Sequence, residues 1–382
     1  MRLSPVLSGL GEYPFLAFDR AIAEARARGV ELIDFGMGDP YEETEPFIRE
    51  ALVAALPSRS RYPRSIGLPD LRQAIADWCR RRFGVTLDPE REIVPTLGSK
   101  EAIFSLAQLV DLRPPKNLVL VTDPGYPVPL RGALFAGGEA RTLPLREENG
   151  FLPDLEQVGL ETWERTAIVW LNYPNNPTGA VAPPSLFERL AELAVEHDFL
   201  LCSDEAYSEI YFGGDPPHSA LEAPERRNVV AFNTLSKRSS MTGYRSGFVA
   251  ASADVVQALR AFRPVAGTAP QEFVQRASIV AWRDEEHVDR MRARYTAKRE
   301  LLLRALARTG LRLAGSEATF FLWLRVPQGS DSVGFARRLL ELGLVVAPGA
   351  ALGAAGEGFV RLALVPTTEE CGRAAELLER GL

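Results

Sequence analysis

The chain is poor in the residues that build small stapled or metal-held folds. It has 3 cysteines and 3 histidines in 382 residues. Cys79, Cys202 and Cys371 are far apart and form no C-x-x-C pair, which excludes a disulfide framework and a zinc site and leaves three packed, reduced thiols. Basic charge is not in excess either: 44 Lys and Arg stand against 50 Asp and Glu, a net charge of −6. No basic run is interleaved with aromatics, so neither a nucleic acid nor an anionic membrane is expected as a partner. No apolar run approaches the ~18–20 residues of a membrane span. The first residues are broken by Pro5, Gly9 and Gly11, unlike the continuous apolar region of a signal peptide. Internal repeats and low-complexity tracts are missing as well. A cytoplasmic enzyme is the expectation.

What is present is enough length for two domains and an ordinary composition, 46% hydrophobic and 25% charged. An irregular arm opens the chain, followed by a helix over 19–28 and a strand over 31–35 that runs into Gly36-Met-Gly38-Asp-Pro40. Helices are expected over 46–56, 68–82 and 101–109. Short runs at 118–121, 140–143, 167–171, 199–203, 229–233 and 247–250 are mostly apolar throughout rather than alternating. Strands covered on both faces read this way, so the fold class is α/β with a mostly parallel sheet flanked by helices. After Pro270 the pattern changes to helices over 272–282 and 285–307, strands over 320–324, 344–347 and 359–365, and helices over 332–342 and 368–380. The expected division is an arm over 1–45 that joins the small domain, a large domain over 46–270 and a small α+β domain over 271–382.

The chemistry gathers around Thr234-Leu-Ser236-Lys237, which follows an apolar strand, with Arg245 eight positions on (245 − 237) in a loop of small residues. A strand-end lysine by itself is an ordinary surface residue. Asp204 closes the apolar run 199–203, where α/β sheets place ligand-binding groups; capping a helix that begins at Glu205 is its plain alternative, and Tyr207 would share that helix's face. Gly98-Ser99-Lys100 passes from an extended segment into a helix, a ready anion site or a simple N-cap. Arg361 interrupts an apolar strand, which is costly to bury without an anion.

Taken in order and spacing, Tyr173-Pro-Asn-Asn176-Pro-Thr-Gly179, Ser203-Asp204-Glu-Ala-Tyr207 and Ser236-Lys237 to Arg245 resemble the class I/II aminotransferases, the fold-type I pyridoxal-phosphate enzymes. The likeness covers essentially the whole chain. It implies a large domain with a mostly parallel seven-stranded sheet, a smaller α+β domain and pyridoxal 5'-phosphate as cofactor. In that likeness Lys237 is the catalytic lysine. Asp204 faces the pyridine nitrogen, Tyr207 and Asn176 reach the ring oxygen, and Tyr126 stacks on the ring. Gly98, Ser99, Lys100, Ser236 and Arg245 surround the phosphate, and Tyr62 reaches the phosphate of a second subunit, which implies a homodimer with its sites at the interface. Arg361, Gly38 and Asn176 meet the substrate.

Within the family, Phe35-Gly-Met-Gly-Asp-Pro40, the string 235–248 and Leu344-Val-Val-Ala-Pro-Gly349 look most like the N-succinyl-LL-diaminopimelate aminotransferases of bacterial lysine biosynthesis, with glutamate and 2-oxoglutarate as the partner pair. Arg263, Arg64, Arg131 and Arg238 are candidates for the cation facing the distal anionic group, Arg263 first. An aspartate or broad-specificity aminotransferase is the rival within the class. A C–S β-lyase shares the same cofactor site. A non-catalytic cofactor sensor would bring a basic helix-turn-helix module, and none is visible.

Overall fold

The computed structural model describes residues 4–9, 16–59 and 61–382. Seven strands form one sheet in the spatial order Ile93–Thr96, Gly247–Ala251, Val229–Thr234, Leu200–Asp204, Thr166–Asn172, Leu118–Asp123, Glu139–Pro144. Six point the same way, and Gly247–Ala251 alone runs against its neighbours. Side-chain alternation explains the continuous apolar runs. Leu118, Leu120, Val169, Leu171, Leu201, Val229 and Ala231 enter one core. The residues between them, including Val119, Val121, Ile168, Trp170, Cys202, Val230 and Phe232, enter a second core on the opposite face. The edge strand Glu139–Pro144 buries only Leu143. The other edge strand, Ile93–Thr96, contains Pro95, and an edge is where a sheet tolerates a residue with no N–H to give.

A separate antiparallel sheet takes the order Ala347–Pro348, Phe359–Ala363, Phe321–Arg325, Arg312–Gly315. The run 344–347, expected as one strand, is shared between two sheets: Leu344–Val345 pairs in parallel with Ile33–Asp34, and Ala347–Pro348 joins the antiparallel sheet. Ala25, Ile33 and Phe35 lie in the same core as this C-terminal sheet and the helices Glu286–Thr309 and Thr368–Gly381. The N-terminal segment thus packs with the C-terminal one. The helix Glu272–Arg283 falls on the C-terminal side of the expected cut at 270, yet its Ala277, Ile279, Ala281 and Trp282 join the core of the large sheet, where Trp282 meets Trp78 at 4.7 Å. Residues 5–9 of the expected irregular arm form the short helix Pro5–Gly9, and residues 1–3 and 10–15 lie outside the described residues. The helix expected from 19 starts earlier, spanning Leu16–Ala27.

All three cysteines are buried and free. Among the described residues no helix is long and apolar enough to cross a membrane.

Candidate active site

Six strands share a direction, so the residues after their carboxyl ends gather along one edge of the sheet. Gly98, Ser99 and Lys100 follow Ile93–Thr96; Tyr126 follows Leu118–Asp123; Asn176 follows Thr166–Asn172; Asp204 closes its own strand; Ser236 and Lys237 follow Val229–Thr234. The opposed strand enters at that same edge, which brings Arg245 alongside them. The register fixes this grouping, since Gly247 pairs with both Thr96 and Thr234.

One end of the edge is shaped for an anion. Gly98 has φ +73°, and a methyl group on it would lie 2.4 Å from Arg245 Nη2, so the guanidinium rests against bare backbone. A Cβ on Gly247 would meet the Ser99 nitrogen at 3.0 Å, so glycine lets the start of the helix Ser99–Ser105 sit on the strand. Arg245 itself has φ +54°, a sparsely populated conformation for a side-chain-bearing residue, and donates from Nη1 to the Thr242 carbonyl at 2.6 Å. The Thr234 hydroxyl lies 2.9 Å from both Ser236 Oγ and the Ser246 carbonyl. Lys100 is exposed, its Nζ 5.7 Å from the centre of the Tyr126 ring. Backbone N–H groups, two hydroxyls and an arginine fork are the donor set of a phosphate site.

Lys237 stands in the one-turn helix Leu235–Arg238. Its Nζ donates to the Gly38 carbonyl at 2.6 Å and lies 5.6 Å from the centre of the Phe320 ring. Burial brings the amine down to about 8; Asp39 pulls it back up, while the charges of Arg361, Arg245 and Lys100 push it further down. Asp204 is buried and accepts from the Ala206 N–H at 3.2 Å. Burial raises its carboxyl to about 7 against the opposing pull of that N–H and of Lys237. A buried carboxyl so poorly compensated fits a cationic ring nitrogen. The helix that Asp204 would have capped is instead a turn, closed by Ser208 N–H to the Glu205 carbonyl and Ile210 N–H to the Tyr207 carbonyl, which sets the capping alternative aside. Tyr207 reaches the site from that turn, packed edge-on against Phe320 and Phe321.

Arg361 comes from the other sheet, on Phe359–Ala363. Its Nη1 donates to Asn176 Oδ1 at 2.8 Å and its Nη2 to the Gly36 carbonyl at 2.7 Å, with the guanidinium 4.4 Å from the centre of the Phe321 ring. Gly38 lies in the same loop, where a Cβ would crowd Phe321 at 3.1 Å. Asn176 is held by a network the motif supplies: Asn172 accepts from the Asn176 N–H at 2.9 Å and donates to the Asp204 carbonyl at 2.8 Å. Asn172, Asp39, Phe320 and Phe321 were not singled out from sequence. Only the doubled phenylalanine opening a strand could have drawn attention to them.

Two arginines proposed for the distal anion are placed elsewhere. Arg263 is buried and donates to Glu101 at 2.5 Å and to the Pro95 carbonyl at 3.2 Å. Arg238 is buried against Glu285 at 2.7 Å and the Ala281 carbonyl at 2.6 Å. Both are spent on carboxylates of their own chain. Arg64 is exposed, and Arg131 is half-buried in the helix Val128–Phe135. Tyr62 is fully exposed.

The comparisons agree with this geometry. The family model for aminotransferases of class I and II matches residues 30–378. LL-diaminopimelate aminotransferase of Desulforudis audaxviator is 42% identical over 98% of this chain and 95% of its own length. The enzyme of that name from Aquifex aeolicus is 41% identical over 98% and 97%. Among solved structures, a Thermus thermophilus aspartate aminotransferase mutant superposes with a TM-score of 0.92 at 33% identity, covering 100% of both chains. A probable N-succinyldiaminopimelate aminotransferase from Thermus thermophilus gives 0.89 at 35%, covering 97% of this chain and 100% of that one. With the anion cradle, the buried carboxyl and the lysine on one sheet edge, the chain belongs to the class I and II aminotransferases and works with pyridoxal 5'-phosphate.

Proposed function

We propose that the protein moves an amino group between LL-diaminopimelate and 2-oxoglutarate, as a step of lysine biosynthesis. The observation that carries the reading is the approach of Arg361 and Lys237 to one loop: the first donates to the carbonyl of Gly36, the second to that of Gly38. A substrate carboxylate on Arg361 therefore puts its α-carbon beside the lysine amine. When bound, pyridoxal phosphate supplies an electrophilic carbon and an electron sink for the substrate's α-carbon. Lys237 Nζ, brought toward neutrality by burial, would hold the group at that carbon and is the base that would take the substrate's α-proton. Asp204 would hold the ring nitrogen protonated, and Tyr207 and Asn176 would meet the ring oxygen. Tyr126 would stack on the ring. Ser99, Ser236, Arg245, Lys100 and the backbone at Gly98 would hold the phosphate. Arg361 clamps the substrate carboxylate through a bidentate fork. The exposed Tyr62 suits a homodimer in which each chain's Tyr62 reaches the other's phosphate.

The names of the curated relatives support the free amino acid as substrate. The likeness to the Thermus structure titled for the N-succinyl compound supports the succinylated substrate as a second reading. Neither Arg263 nor Arg238 is placed to serve the succinyl carboxylate. The test is a donor panel of LL-diaminopimelate, N-succinyl-LL-diaminopimelate, glutamate and aspartate against 2-oxoglutarate. Preferred turnover of the free compound is expected, and preferred turnover of the succinylated one overturns the substrate choice. Release of pyruvate and ammonia from cystathionine with no acceptor present would instead mark a C–S lyase.

A further inference from the structure

Lys237 sits in a helix of 4 residues, too short to hold itself. The three residues after it are gripped from outside. Arg238 donates to the Ala281 and Asp284 carbonyls and to Glu285. The Ser240 carbonyl, in a residue with φ +50°, accepts from the Thr44 hydroxyl at 2.7 Å. Between them, Ser239 Oγ lies 2.8 Å from His287 Nε2, and His287 Nδ1 lies 2.6 Å from Asp284 Oδ1. The same Asp284 oxygen accepts from the His287 backbone N–H at 3.0 Å. Ser239 and His287 are both buried.

The chemistry of these contacts has one consistent direction. A carboxylate only accepts, so the proton of the imidazole is on Nδ1. Nε2 is left with its lone pair facing Ser239, whose hydroxyl donates. The groups facing His287 are Asp284 and Glu45, which favour its charged form, and Arg238, which opposes it; burial outweighs the rest and lowers the ring's pKa. The ring thus remains an acceptor at neutral pH, and the edge of Phe47 at 5.6 Å restricts its tilt.

We propose that Asp284, His287 and Ser239 form a positioning relay that fixes the backbone two residues beyond Lys237, and so sets where the Lys237 amine stands against the cofactor and the substrate's α-carbon. Ser239 and His287 touch neither and are positioning residues. The inference rests on Lys237 being the cofactor-bearing lysine. The two failures are distinguishable: a Lys237→Ala protein that kept a borohydride-bleachable visible band would overturn that reading, whereas an unaltered Ser239→Ala beside a Lys237→Ala protein that lost the band would overturn the relay alone.

The test uses the cofactor-loaded protein. Ser239→Ala should lower kcat about tenfold with KM nearly unchanged, as expected for a small misplacement of a reacting group. It should also move the pH midpoint of the cofactor's visible band by about half a unit or more, and Ser239→Thr, which keeps the hydroxyl, should restore both. With only 3 histidines in the chain, ¹⁵N spectra of the unaltered protein, assigned with His287→Gln, should show His287 protonated on Nδ1 and bare on Nε2. Wild-type kcat and midpoint in Ser239→Ala would overturn the proposal. So would an Nε2–H tautomer, which decides the matter even if Ser239→Ala does not fold.

Discussion

Asp204 and Glu205 are neighbours in the chain, both buried, both pushed up to about 7 by burial, and they serve different regions. Asp204 ends a strand at the site and faces Lys237. Glu205 turns into the wall behind it, where it accepts from the Ala220 N–H at 2.9 Å and the nearby Ser219 favours its charged form. A raised carboxyl pKa therefore does not by itself mark a catalytic group. What separates the two is the company: Glu205 is surrounded by donors that hold a loop, and Asp204 by one N–H and a lysine across a space.

Substitutions can break or sharpen that contrast. The largest effect is expected from removing the lysine that Asp204 faces: Lys237→Ala should cut transamination below ~10⁻⁴ of the wild-type rate, measured in single-turnover assays, with loss of the borohydride-bleachable band. Asp204→Asn should follow, costing kcat ~10²–10³-fold, whereas Glu205→Gln should stay within about threefold. Equal losses in the two variants would erase the distinction. Arg361→Ala removes a charged clamp of roughly 1.5–3 kcal/mol and should raise KM for every amino donor; an effect confined to one donor would move it to a side-chain role.

The smallest effect concerns stability. Both carboxyls are raised above their unfolded values, near 4, so the folded chain keeps their protons longer than the unfolded one does. Their contribution is full below about pH 4 and is lost as pH rises through about 7. In the cofactor-free protein, the melting temperature of Glu205→Gln relative to wild type should therefore rise from pH 4 to 7 and then level off, and Asp204→Asn should do the same. With cofactor bound only the Glu205 part should persist, because Asp204 then has a cation.

Much of this was legible in the chain. Runs such as Ala167–Leu171 read as doubly covered strands because each alternate residue feeds a different core. The order of strand ends then placed Lys237, Asp204 and Asn176 together. The strand Ile93–Thr96 was read only as an extended segment, since Pro95 masks an edge strand. The helix weighed as the alternative role for Asp204 does not form, because a turn satisfies the same backbone groups. Arg263 and Arg238 were misjudged because their partners, Glu101 and Glu285, lie 162 and 47 residues away, beyond any periodic signal. The Ser239–His287 contact, spanning 48 residues, was hidden for the same reason.

The loop from Gly36 to Gly38 lends one carbonyl to Arg361 and another to Lys237. If Arg361 takes the substrate's carboxylate, an arriving amino acid would meet a guanidinium that is already engaged. On the proposed role of Arg361, the substrate's carboxylate would gain only the difference between itself and a backbone oxygen. Recognition at Arg361 would then be an exchange of partners, with the protein's own backbone as the first competitor.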